Sequence, residues 1–392
     1  MDGDLIETIA EATRIPRGPL AAIKLKADNL IHTARAKIIR WWDKQYIPTY
    51  LGALGHLIEG NRHCHMAVLS RDPPVLLVPI GGVRPLWMVE ALSHGLRKRP
   101  ALFLLLVYWS LEYTKGMRLL RMNVESHQRR FPGHKLVFFC NTAQELKLLE
   151  ETGIEAILLN HNQIVPETVF QQCDDESVAF DAVYNAKTAR FKRHYLASAI
   201  DRVLYVAYRS SDDMSASAER AYLQRIMARC PAHEFANPVV DGLPLRLAPS
   251  DVNRAYNRAA VGLCLSPVEG AMYSSVEYLL AGLPVVTTPS RGGRDYFLDP
   301  EFCITAPPDT RSIRDAVLAL RERKIPRSTV RNRTLAHIHA ERERGRRQIE
   351  AVLAKSGIDP EMAAFWPPEN GHSAIGFQSI RSHLSGWTAS RP

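Results

Sequence analysis

The chain has 392 residues, more than one core usually organises, so two domains are expected. With 46% hydrophobic and 23% charged residues it reads as an ordinary globular protein, which excludes a disordered chain. The formal charge of +9 and a pI near 9.3 favour polyanionic partners (phosphorylated small molecules, nucleic acid or an anionic membrane) without choosing among them.

The six cysteines are scattered and none has CxxC spacing, which points to a reducing compartment and to thiols acting as small core residues. The stretch MDGDLIETIAEATRIP is acidic and lacks the basic-then-apolar order of a secretory leader. The most apolar run, Ala101 to Trp109, is about half of the roughly 20 residues needed to span a bilayer. A cytoplasmic protein is expected.

Residues 1–60 read as a helical extension whose face carries Lys24, Lys26, Arg35, Lys37, Arg40 and Lys44 beside Trp41 and Trp42. Such a face either packs as a solvated surface or rests on the anionic inner face of a membrane. From residue 61 to 177 short apolar runs at 75–80, 101–108, 135–140 and 155–160 alternate with helical segments at 84–99, 110–131 and 142–153. Strands apolar on both sides and separated by helices make a parallel, Rossmann-like sheet.

After the polar break QQCDDESVAF (171–180) the alternation restarts and fills a second domain, 178–355. Strands are expected at 180–186, 201–208, 245–248, 261–266 and 283–288, with helices at 191–200, 215–230, 250–259, from Ser274, and at 311–323. Residues 356–392 read as a tail on the surface.

The stretch SPVEGAMYSSVEYLLAGLPVVTTPSRGG (266–293) concentrates the chemistry. It leaves a strand at its C-terminal end, where open parallel sheets bind ligands, and so places Glu269 in the crevice. Gly270 and Ala271 let a ligand approach the backbone, and the N–H groups of Met272, Tyr273 and Ser274 open a helix toward an anion. Glu277, one turn in, can accept a vicinal diol such as a ribose, or can form a capping box with Ser274. Lys187 and Lys192 follow another strand and can hold a diphosphate, with Arg190 and Arg193 as alternatives.

In combination these residues resemble the donor domain of the retaining family 4 glycosyltransferases. The resemblance covers about 180–350 and rests on Glu269–Gly270, Glu277, GLPVVTT at 282–288, Gly292–Gly293, and Ala186–Lys187 with Lys192. The chain departs from that pattern at Met272 (usually Gly), Tyr278 (usually Ala) and Ala186–Lys187 (usually Gly-Arg). Upstream, VPIGGVRPL resembles the family's first strand and Gly-Gly loop, with Gly81 and Gly82 toward the cleft.

The resemblance implies an α/β GT-B architecture: two Rossmann-like doubly wound domains facing across a cleft, here with the helical N-terminal extension. It also implies transfer, with retention, of a sugar from a nucleotide-sugar donor to a hydroxyl of a glycan or glycolipid, in surface-polysaccharide or lipopolysaccharide-type assembly. Lys187 and Lys192 then hold the diphosphate, Glu277 the ribose, and Glu269 the transferred sugar. No metal and no other cofactor is implied. His127 and His161 are the candidates for the family's cleft histidine.

A nucleotide-sugar or glycan binder without turnover and a GT-B epimerase are the competing readings. His63, Cys64 and His65 make at most half a zinc site. The arginine-rich segment 331–353 interleaves Glu341, Glu343 and Glu350, which suits a solvated helix rather than a nucleic-acid surface.

Overall fold

The computed structural model describes residues 63–81, 86–96, 99–112, 114–209, 214–368 and 376–379. The expected 1–60 extension, with Trp41 and Trp42, and Gly82 lie outside the described residues.

The first sheet has the order β14-β1-β2-β3-β4-β5. Its parallel part is β2 (Pro74–Ile80), β3 (Ala101–Val107), β4 (His134–Cys140) and β5 (Ala156–Leu158), the four runs expected from the sequence. β1 (His63–Arg71) joins β2 antiparallel, and β14 (Gly376–Ser379) joins β1 antiparallel. The tail therefore does not simply lie on the surface: it supplies this edge strand, and Trp366 is buried.

Both faces of this sheet are covered, which is why β2 and β3 are apolar throughout. Helices α1 (Trp87–Gly95), α2 (Thr114–Arg130) and α3 (Ala143–Glu150) pack one face, with Leu92, Leu120 and Leu149 against Phe103 and Phe138. The opposite face takes its cover from the other end of the chain, where Ile349, Val352, Leu353, Ile358 and Trp366 pack on Val137 and Phe139.

The second sheet has the order β13-β12-β11-β6-β7-β8 and is parallel throughout. Its strands are β6 (Phe180–Lys187), β7 (Val203–Tyr208), β8 (Glu234–Phe235), β11 (Ala259–Cys264), β12 (Val285–Thr287) and β13 (Cys303–Thr305). Between β8 and β11 come a small hairpin, β9 (Val239–Val240) with β10 (Leu243–Pro244), and helix α5 (Pro249–Asn257). The remaining helices are α4 (Ala216–Arg229), α6 (Tyr273–Leu280), α7 (Thr310–Glu322) and α8 (Arg327–Lys355).

Two expectations are corrected. The helix expected at 191–200 is a pair of 3-10 turns, Arg190–Lys192 and His194–Ala197, because Arg193 between them is left-handed at φ 53°. The strand expected at 245–248 is displaced to the β9–β10 hairpin, where Asp241 and Gly242 both have positive φ at the turn.

Helix α8 spans both domains. Its charged residues pair along one surface, Glu343 with Arg346 and Arg347, and Arg346 with Glu350, as the sequence pattern predicts. Among the described residues no helix is long and apolar enough to cross a membrane.

Candidate active site

The chain order of the second sheet reverses between β6 and β11, so the connections leave their C-terminal ends in opposite directions and open a crevice there. A cavity of about 450 Å³ fills it. Of the residues expected from the sequence, Lys192, Glu269, Ala271, Met272, Tyr273, Ser274 and Glu277 line it.

Glu269 and Lys192 form a buried ion pair, and the Ser266 hydroxyl donates to the same carboxylate oxygen. A buried charge survives only with such partners. The loop that carries Glu269 is fixed from beneath by Arg294, which is fully buried. Its guanidinium donates to the carbonyl of Ser266 at 2.6 Å and to Thr287, Thr288 and Asp295. Five N–H donors in a planar fork allow one side chain to bind a loop, a strand end and a carboxylate at once.

Glu277 also lines the cavity. It is not in a capping box: the helix N-cap is Met272, and the Ser274 hydroxyl donates instead to the Asn185 carbonyl at 3.3 Å. The Tyr256 hydroxyl donates to Glu277 Oε2 at 2.5 Å, and Asn185 Nδ2 donates in turn to Tyr256. Burial nevertheless dominates, and pushes the Glu277 carboxyl up to about 7.

Tyr278, where a small residue was expected, is accommodated by Gly262. A Cβ there would lie 2.5 Å from the Tyr278 ring. The Tyr278 hydroxyl accepts the Asn185 N–H, so the larger residue ties α6 to β6 beneath the cavity.

Other expected residues fall elsewhere. Lys187 ends β6 but does not line the cavity; its ammonium and that of Lys192 each lie 5.2 Å from the Phe191 ring centre. Arg190 and Arg193 are also outside the lining. Gly270 does not open the backbone to a ligand: a Cβ there would collide with the Tyr108 carbonyl, so its space belongs to the N-terminal domain. Gly81 is not in the lining but packs beside Trp109 and Tyr108, and Tyr108 itself lines the cavity.

His127 lies inside the N-terminal domain, 3.2 Å from His134, rather than in the cleft. His161 is in the cleft and lines the cavity. The backbone of His63–His65 is in β1, and among the described residues no group of three His, Cys, Asp or Glu could hold a metal.

Loops of the N-terminal domain close the cavity. Asn160 Nδ2 donates to the Gly293 carbonyl at 2.8 Å, Asn162 Nδ2 to the Met272 carbonyl at 3.2 Å, and His161 Nε2 lies 2.9 Å from the Ala271 carbonyl. Tyr108, which follows β3, adds its ring, and the Tyr273 hydroxyl donates to its oxygen at 3.2 Å. Sequence reading missed Tyr108, Asn185, Tyr208 and Arg246 as lining residues. Tyr108 and Asn185 end or follow expected strands, which is the signal that could have found them; Arg246 carried none.

No protein-family model and no curated protein matches the chain. Among solved structures, sucrose-phosphate synthase from Thermosynechococcus elongatus aligns with a TM-score of 0.51 at 14% identity, over 71% of this chain and 74% of that one. The pneumococcal O-GlcNAc transferase GtfA, in complex with UDP and GlcNAc, aligns at 0.49 and 14% over 71% of this chain. Anabaena HepE, in complex with UDP, aligns at 0.48 and 12% over 68%. The chain spans 57% of the length of GtfA and 74% of HepE. The shared fold with the synthase, the two sheets with parallel cores, of which the second is doubly wound, and the cleft between them identify the architecture as GT-B.

Proposed function

We propose that the chain is a retaining glycosyltransferase of the family 4 type, moving a sugar from a nucleotide-sugar donor to a hydroxyl of a glycan or glycolipid in surface-polysaccharide assembly. The observation that carries this reading is the cavity at the β6–β11 switch point, with the Lys192–Glu269 pair and Glu277 both on its wall.

The donor diphosphate takes the end near Lys192, drawing the ammonium from Glu269. Glu269 is then left beside the transferred sugar, where its charge stabilises the positive charge developing at the anomeric carbon. Glu277 accepts the ribose hydroxyls. The start of α6 adds backbone N–H donors for the phosphates. The acceptor hydroxyl attacks on the face from which the nucleotide leaves, and the departing phosphate oxygen takes its proton. Cationic side chains and the helix start neutralise the diphosphate, so the reading requires no metal and no other cofactor. Lys187, outside the cavity, serves as an outer charge for the leaving nucleotide.

The deciding experiment incubates the protein with UDP-, GDP- and ADP-sugars and a mixture of glycan and glycolipid acceptors. Acceptor-dependent release of nucleotide, with the donor's anomeric configuration kept in the product, supports the proposal. Binding without release in every mixture indicates a nucleotide-sugar binder, a reading favoured by the placement of Lys187 outside the cavity. Product formed without acceptor indicates an epimerase.

Peripheral membrane contact belongs to the same proposal and rests on the basic 1–60 segment. Deleting residues 1–50 should abolish binding to vesicles rich in anionic lipid. Undiminished binding would sink that part alone.

A further inference from the structure

His161 begins a 3-10 turn, His161–Ile164, beyond β5, and its ring enters the seam between the domains. Nδ1 lies 3.1 Å from the Val107 carbonyl oxygen, at the end of β3, and Nε2 lies 2.9 Å from the Ala271 carbonyl oxygen on the Glu269 loop. A carbonyl oxygen only accepts, so each contact needs an N–H on the ring, and a neutral imidazole has one. With a single proton, one nitrogen lone pair would face a carbonyl lone pair in a site that is 3% exposed.

Other buried histidines avoid this conflict. His233 sits between the Ile200 carbonyl at 2.7 Å and the Tyr205 hydroxyl at 3.1 Å. His134 sits between the Arg99 carbonyl at 3.0 Å and, at its second nitrogen, Ser93 Oγ and His127 Nε2, each at 3.2 Å. A hydroxyl or an imidazole can donate, so one proton per ring suffices there, and burial lowers the pKa of both.

We propose that His161 is an imidazolium at neutral pH, a cationic latch that ties β3 of the N-terminal domain to the Glu269 loop and charges the cavity wall. The rings of Tyr108 and Tyr273 flank it, with centroids 4.8 and 5.0 Å from the imidazole, an environment that favours a cation. Among the described residues the other charged or titratable groups on the cavity are Lys192, Arg246, Glu269, Glu277 and Tyr208, and Glu269 engages Lys192.

The latch also orients the backbone. Because the peptide is planar and trans, holding the Ala271 carbonyl toward His161 turns the Met272 N–H the opposite way. His161 is thus a positioning residue for the start of α6. Its effect on the donor anion rests on the proposed function; its protonation and its bridge between the domains do not.

The test is nitrogen NMR of ¹⁵N-histidine-labelled full chain at pH 7 without nucleotide, with the His161 signals assigned by their loss in His161→Gln. Protons on both ring nitrogens are expected, and a proton on only one overturns the latch. If the variant does not fold, neutron diffraction from wild-type crystals decides the same question by showing deuterium at both nitrogens or at one. UDP titrations between pH 7 and 9 then read the second effect. Affinity should fall on the order of tenfold as one charge-assisted contact is lost, and His161→Gln should lack that fall. No binding of UDP, GDP or ADP at any pH, with both nitrogens protonated, would overturn the donor reading while leaving the latch intact.

Discussion

Burial sets the charge of Glu277 before any ligand arrives. With its pKa at about 7 instead of 4.5, the folded protein binds a proton there that the unfolded chain has already released. Stability is therefore greatest below the unfolded value and declines as pH rises from about 4.5 to about 7; Glu145, also raised to about 7 by burial, acts in the same sense. At pH 8, Glu277→Gln should be more stable than wild type by about 1–3 kcal/mol, read from denaturant midpoints. Ribose hydroxyls favour the carboxylate, so nucleotide binding should release a proton, and UDP affinity should rise between pH 5 and 7, ahead of the fall above pH 7 assigned to His161. In Glu277→Gln that rising limb should vanish, with affinity roughly tenfold lower for want of a charged acceptor. Glu269→Gln should act differently, lowering turnover on the order of 10²–10³-fold with a small change in UDP affinity. Wild-type turnover in that variant would remove Glu269 from the chemistry.

The loops between elements carry the seam between the domains. A Cβ at Gly293 would fall inside van der Waals contact with Asn141 Cβ and Asn160 Nδ2, where the Asn160 amide bonds the Gly293 carbonyl. Gly293→Ala should thus force the domains apart, costing about 1–3 kcal/mol in thermal unfolding and weakening UDP binding, since His161 and Asn162 cross the same seam. Unchanged stability and affinity would show that the seam opens freely. The Gly-Gly pair was legible in the sequence, but its use against another domain was not, because Asn141 and Asn160 lie more than a hundred residues upstream. The parallel strands were legible for a local reason: burial on both faces demands unbroken apolar runs such as ALFLLLV. The turns at 190–197 were misread as a helix because nothing in FKRHYLASAI announces a left-handed Arg193. The two glutamates and Lys192 could be read from spacing, whereas Tyr256 and Arg294, which hold them, became visible only through tertiary contacts.

Across the whole molecule, α8 and the segment after it join the domains. Arg342 donates to the carbonyls of Gln163 at 2.8 Å and Val165 at 3.1 Å and pairs with Glu167 at 2.6 Å, clasping the crossover between the sheets. Trp366 packs edge-on against Phe139, and its indole N–H donates to Gln163 at 3.3 Å. A chain ending at Lys355 would strip Ile358, Ala363 and Trp366 from the face that holds Val137 and Phe139 and lose β14. Calorimetry of that truncation should show the N-terminal domain melting in a separate, earlier transition, while a single transition at the wild-type temperature would contradict the packing described. The order of synthesis gives this arrangement a further meaning. On the ribosome the N-terminal sheet emerges early, yet one of its faces is covered by residues 349–366, which are made after the second domain. The first domain must wait for the last helix, so the two halves mature together and a nascent chain stalled before α8 presents a bare apolar sheet to chaperones.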